Sequence, residues 1–101
     1  MKILSPVEFQ LLAILGATEK SGREVAADFE KEVGKAISYG TLYTTFRRLK
    51  ELGYVTVRDD VGNDSRVRFF ALTGLGSRAL RDARRDYSRL ALFGIPEGGF
   101  A

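Results

Sequence analysis

Apolar positions along this chain follow two different periods. From Val7 to Leu52 they recur at helical spacing; from Tyr54 to Leu72 they alternate with polar residues, and helical spacing then returns. The first helix begins at Ser5-Pro6-Val7-Glu8, with a cap serine, proline at the first helical position and a glutamate placed to close a capping box. Phe9, Leu11, Leu12, Ile14 and Leu15 make it apolar over more than one face, so two sides are expected to be buried, and Gly16 marks its end. Ser21-Gly22-Arg23-Glu24 repeats the capping pattern and opens a second helix, with Val25, Ala26, Phe29 and Val33 inward and Gly34 as its stop.

A third helix starts at the N-cap Ser38. On a helical wheel Leu42, Phe46, Leu49 and Gly53 fall together, while Gly40, Thr44, Arg47 and Glu51 lie opposite, flanked by Thr41, Tyr43 and Arg48. Strands are expected over 54–59 and 66–72, joined by a loop rich in turn residues, Asp60 to Ser65. Thr73 caps a last helix running to about Leu92, and the tail beyond is expected to be irregular. This order predicts a mainly α chain with a small β-hairpin wing, a winged helix-turn-helix with a C-terminal dimerisation helix. A strand completing the sheet is expected around Lys35–Ile37. The divisions are 1–72 for the DNA-binding unit, 73–92 for the dimerisation helix and 93–101 for the tail.

Composition narrows the chemistry. With no cysteine and no histidine, thiolate metal sites, thiol catalysis and the commonest acid–base group are all missing. No phosphate-binding glycine loop or recognisable carboxylate pair takes their place, so no catalytic residue, metal or cofactor is expected. No apolar run reaches the roughly 18 residues of a membrane span, and the N-terminus reaches Ser5-Pro6 too soon for a signal peptide; a cytoplasmic protein is expected.

The net charge of +3 is unevenly spread. Residues 35–50 carry Lys35, Arg47, Arg48 and Lys50 with no acid, and 66–92 carry seven arginines against Asp82 and Asp86. The stretches 1–34 and 51–65 are net acidic. A polyanion binds a face, so this segregation points to nucleic acid. The candidate DNA contacts are Ser38, Tyr39, Gly40, Thr41, Tyr43, Thr44, Arg47 and Arg48 on the third helix, with Arg66 and Arg68 on the wing. Gly40 adds weight, because a glycine inside a helix costs roughly 1 kcal/mol against alanine. For Tyr43 packing against the first helix is the other reading, and for Arg66 and Arg68 it is pairing with Asp59 or Asp60 across the hairpin. Five arginines of the last helix, at 78, 81, 84, 85 and 89, read as its solvated side. Its apolar side finds no evident partner within the chain, which suggests a homodimer through Leu11 of the first helix and Leu75, Leu80, Ala83, Tyr87 and Leu90 of the last. Phe9, Phe29, Phe46, Phe69 and Phe70 read as core.

The chain resembles the PadR family of bacterial and archaeal transcriptional regulators from Ser5 to about Arg89. The resemblance is carried by Gly22, Gly40-Thr41-Leu42-Tyr43, Leu49-Lys50-Glu51-Leu52-Gly53-Tyr54-Val55, Arg68-Phe69-Phe70-Ala71-Leu72-Thr73 and Gly76, in order and at family spacing. Arg23 stands where the family usually has tyrosine, and the single last helix is that of its short branch. The resemblance implies a dimeric regulator of double-stranded DNA on a pseudo-palindromic operator, a repressor acting by promoter occlusion. It also implies phosphate contact for Arg66 and Arg68, and a small aromatic effector between subunits as in some members. The alternative is a winged-helix module for protein–protein contact without specific DNA binding.

Overall fold

The computed structural model describes residues 4–62 and 66–92, with side chains to Leu90; the expected irregular tail and the tip of the hairpin loop lie outside the described residues. The elements are α1 (Pro6–Leu15), β1 (Lys20–Ser21), α2 (Gly22–Val33), α3 (Tyr39–Glu51), β2 (Val55–Val61), β3 (Arg66–Leu72) and α4 (Gly74–Leu92). This is a winged helix-turn-helix, mainly helical, with a three-stranded antiparallel sheet in the order β1-β3-β2.

The helix starts form as their sequences dictate. At α1 the Ser5 hydroxyl accepts from Glu8 N–H at 3.2 Å while Ser5 N–H donates to Glu8 Oε1 at 2.8 Å. Ser21 and Glu24 repeat the arrangement at α2, at 3.1 and 2.9 Å. Each box satisfies donors that a helix start leaves unpaired. Leu11, Leu12 and Leu15 of α1, Val25 and Phe29 of α2, and Leu42, Phe46 and Leu49 of α3 meet at the centre, closed by Val55, Phe70 and Leu80. Phe46 and Phe70 stack with centroids 4.1 Å apart, joining α3 to the wing.

Two expectations are corrected. The third strand is not around Lys35–Ile37 but at Lys20–Ser21, where Lys20 pairs with Phe70 and Ser21 with Phe69. Two residues are too few to show alternation, and Ser21 is also the N-cap of α2, so only the helix signal was visible. The apolar side of α4 does find a partner within the chain. Leu80 and Ala83 are buried, and Tyr87 lies against Phe9 of α1 at 4.9 Å and donates to the Leu4 carbonyl at 2.5 Å.

The joint between the wing and α4 is tight. Thr73 caps α4 through Gly76 N–H at 2.9 Å, and its hydroxyl also donates to the Gly53 carbonyl at 2.6 Å. Thr73 N–H donates to the Tyr54 carbonyl at 3.1 Å. Gly76 is buried against that same carbonyl, and a Cβ there would stand 2.0 Å from its oxygen. Only glycine allows this approach.

Candidate nucleic-acid interface

The buried stripe of α3 leaves its other side outward: Tyr39, Gly40, Thr41, Thr44, Arg47 and Lys50 are exposed. At its start, Ser38 Oγ accepts from Thr41 N–H at 3.1 Å and the Ser38 hydroxyl donates to Thr41 Oγ1 at 3.0 Å. Unlike α1 and α2, α3 has no acid in its first turn. The positive end of its dipole therefore meets solvent without a carboxylate beside it, which favours an anion there. At Gly40 a Cβ would find only Ser38 Oγ, at 3.9 Å. Among the described residues nothing demands glycine at that position.

Tyr43 is half-buried and packs against the edge of the core. Its ring lies 6.0 Å from Phe70, and a Cβ on Gly22 would come within 2.6 Å of its hydroxyl oxygen. The glycine at the start of α2 thus makes room for a tyrosine from α3. Tyr39, 50% exposed, stacks on Tyr43 at 6.0 Å and extends this aromatic surface outward.

The arginines divide. Among the described residues no acid lies within ion-pair distance of Arg47, whereas Arg48 Nε is 3.4 Å from Oε2 of Glu8. That carboxylate is buried at 4% exposure, and its Oε2 makes no hydrogen bond among the described residues, so Arg48 supplies its only compensating charge there. Arg48 is tied to α1 and Arg47 faces out.

On the wing, the pairing reading for Arg66 and Arg68 is the one observed. Arg66 donates to Asp59 Oδ2 at 2.6 Å, and Arg68 Nε lies 3.5 Å from Oδ1. The Arg66 hydrogen bond, with smaller help from Arg68 and Lys50, holds the Asp59 carboxyl below the usual aspartate range. Arg68 also lies over the Tyr43 ring at 5.7 Å. Arg58 is turned the other way, onto the Phe69 ring at 4.6 Å and to Glu19 at 2.8 Å, and its hydrogen bond lowers the Glu19 carboxyl.

Two open clefts follow. One, about 390 Å³, lies between α3 and the wing and is lined by Tyr43, Arg47, Lys50, Asp59, Arg66 and Arg68. The other, about 640 Å³, lies between the starts of α2 and α3 and the wing, lined by Arg23, Tyr39, Tyr43, Arg66 and Arg68 among others. Sequence reading missed Lys50 and Arg23 as members of this surface. Lys50 stands three residues after Arg47, a helical spacing that could have found it; Arg23 carried only the exposed polar position of a helix start.

The six residues proposed for a dimer contact are not alike. Leu11 is fully buried on the inner side of α1, which takes it off any surface, and Leu80 and Ala83 are also inside the chain. Leu75 is 46% exposed, and Tyr87 and Leu90 are half-buried. The half-buried residues of α1 include Phe9, Gln10, Ala13 and Ile14, which line an open groove of about 640 Å³ that reaches Lys20, Asp28 and Val33.

The profile of the transcriptional regulator PadR-like family matches residues 11–82. No curated protein matches the chain. Among solved structures, Bacillus subtilis PadR in complex with operator DNA is 24% identical with a TM-score of 0.69, over 76% of this chain and 45% of that one. The chain thus spans less than half the length of that protein. A PadR family transcriptional regulator from Eggerthella lenta is 24% identical with a TM-score of 0.76, over 84% and 74% of the two chains. A transcriptional regulator from Clostridium thermocellum is 20% identical with a TM-score of 0.75, over 83% and 84%.

Proposed function

The chain belongs to the transcriptional regulator PadR-like family, and from that membership we propose that it binds double-stranded DNA in a sequence-specific way, as a homodimer, and represses by occluding a promoter. The observation that carries this reading is the outward side of α3. There an acid-free helix start, a glycine that no described residue requires, and Arg47 with no acid partner among the described residues share one surface. Residues at the start of α3 would meet base edges and phosphates, with Arg47 able to pair bidentately with guanine. The operator DNA bound to the Bacillus subtilis relative supports the same reading.

The dimer would form through the half-buried residues of α1 together with Leu75, Tyr87 and Leu90 of α4, placing two recognition helices on successive major grooves of a pseudo-palindrome. A small aromatic effector would lie in the groove beside Phe9, Ala13 and Ile14. The protein would work in the cytoplasm; no described helix is long and apolar enough to cross a membrane.

Selection of random double-stranded DNA by the purified protein, followed by sequencing, tests the reading. The expected product is an inverted repeat with half-sites about 10 base pairs apart. No enrichment at low or moderate salt would sink it in favour of a protein–protein module. That second reading is favoured by one observation, the pairing of the wing arginines 58, 66 and 68 with acids of the same chain.

A further inference from the structure

The wing carries an acid where a DNA-binding surface should repel none. Asp59 lies on β2 opposite Arg68 of β3, and each of its carboxylate oxygens takes a different arginine, Oδ2 from Arg66 and Oδ1 from Arg68. Across the cleft Arg47 and Lys50 of α3 line the same space of about 390 Å³. One cleft therefore holds this carboxylate, the two wing arginines paired with it, and two further cations from α3. The geometry is that of a phosphate site, since a phosphate also offers separate oxygens to separate guanidinium groups.

From this arrangement we propose that Asp59 is an internal stand-in for a DNA phosphate, holding Arg66 and Arg68 in place until a backbone phosphate displaces it. The inference rests on the DNA-binding reading above. A structural salt bridge would need only one arginine and would not need to face the recognition helix. Here the carboxylate is exposed, so its pairing is weak enough to be exchanged. Displacement leaves Asp59 near the incoming phosphate, and that repulsion lowers affinity for every duplex alike. Contacts through Arg47 must then supply what the wing does not. Asp59 thus weakens specific and non-specific binding by the same factor, and the ratio between them is left to Arg47 and the start of α3.

The test is titration of a labelled mixed-sequence duplex with the full chain across a range of salt, comparing the parent with Asp59→Asn and Asp59→Ser. Both variants are expected to bind roughly three- to tenfold more tightly near 0.1 M salt, with a log–log salt slope steeper by about one, as for one more phosphate neutralised. In an Arg66→Ala/Arg68→Ala background the gain should vanish, because the displaced cations are gone. Unchanged or weaker binding by both variants, with the parent binding normally, would overturn the proposal and make Asp59 a simple brace for the arginines. Persistence of the gain without Arg66 and Arg68 would overturn it too, as a general charge effect. If the parent itself fails to bind DNA in a salt-dependent way, the DNA reading falls first, and the proposal with it.

Discussion

Gly40 and Gly76 each lie in the first turn of a helix, yet the same alanine substitution should act on them in opposite directions. At Gly40 the added methyl meets nothing closer than Ser38 Oγ at 3.9 Å. The substitution should therefore return part of the helix-propensity difference, up to about 1 kcal/mol. At Gly76 the methyl would stand 2.0 Å from the Tyr54 carbonyl oxygen, 2.9 Å from its carbon and 3.1 Å from Cα. Backbone cannot swing aside as a side chain does. Moving the carbonyl strains the Thr73 N–H bond to it, and moving α4 strains the Thr73 bond to Gly53 and lifts Leu80 from the core. Overpacking of about 1–3 kcal/mol and a weakened hydrogen bond of about 1 kcal/mol together exceed the propensity gain. The net loss is about 1–3 kcal/mol.

For a domain of this size each kcal/mol is roughly 4–8 °C in Tm. Urea unfolding followed by circular dichroism measures both variants, with the slopes compared to check that the unfolded state is unchanged. Gly40→Ala should unfold at higher urea than the parent and Gly76→Ala at clearly lower. Equal stabilisation by the two would refute the close-contact argument at the α4 joint. The stabilised Gly40→Ala protein should nonetheless bind DNA more weakly, if the space at Gly40 is kept for a phosphate or a base. Undiminished DNA binding by that variant would show that the start of α3 does not approach the duplex closely.

Further outcomes are expected elsewhere. Arg47→Ala should change which sequence is preferred, while Arg68→Ala should weaken all sequences alike; if both bind every duplex as the parent does, the placement of α3 in the groove is wrong. Ser38→Ala removes the acceptor for Thr41 N–H and should cost about 0.5–2 kcal/mol in thermal or urea unfolding; no loss would mean that water caps the helix equally well. Asp59 has its folded pKa depressed, so its contribution is present above the ordinary aspartate range and lost as pH falls through the lowered value. A carbon-13 titration of its carboxyl should find the midpoint below that range, and a midpoint at or above it would contradict the Arg66 bond. Burial, with a smaller effect of Glu8, raises the Tyr87 phenol, whose stabilising effect is therefore present below the ordinary tyrosine range and lost as pH rises through the higher value. Ultraviolet titration of the parent against Tyr87→Phe should assign to Tyr87 a phenol that titrates above the ordinary tyrosine range, and a midpoint at or below that range would contradict its burial.

The parts of this fold legible in sequence were those decided within a few residues. Ser5 with Glu8 and Ser21 with Glu24 lie three positions apart, so each helix start could be read from its own turn. The inward stripe of α3 was equally plain, because Leu42, Phe46 and Leu49 keep helical spacing. What could not be read depends on residues brought together from far along the chain. Glu8 gives no sign in sequence that its second oxygen meets Arg48. Leu11 and Phe9 are both apolar on one helix, and only the packing of α1 shows that Leu11 is the inner one. Gly76 reads as a poor helix former until Tyr54 is placed against it. For Arg66 and Arg68 the sequence offered two roles and could not choose, since hairpin register alone decides their distance from Asp59.

The two residues of β1 have a mechanical consequence. They bind the base of the wing at Phe69 and Phe70 to the start of α2, and Phe70 is buried in the core besides. Beyond Arg68 the wing is only two strands, and Val61 toward its far end is 73% exposed. Stiffness must therefore fall along β3 from Phe70 toward Arg66, like a blade clamped at the hilt. Bending is confined to the part that carries Arg66, Arg68 and Asp59. On the DNA-binding proposal, such a blade would follow grooves of differing width by flexing its outer end while α3 kept its angle. Amide exchange should report it as protection that declines residue by residue from Phe70 outward.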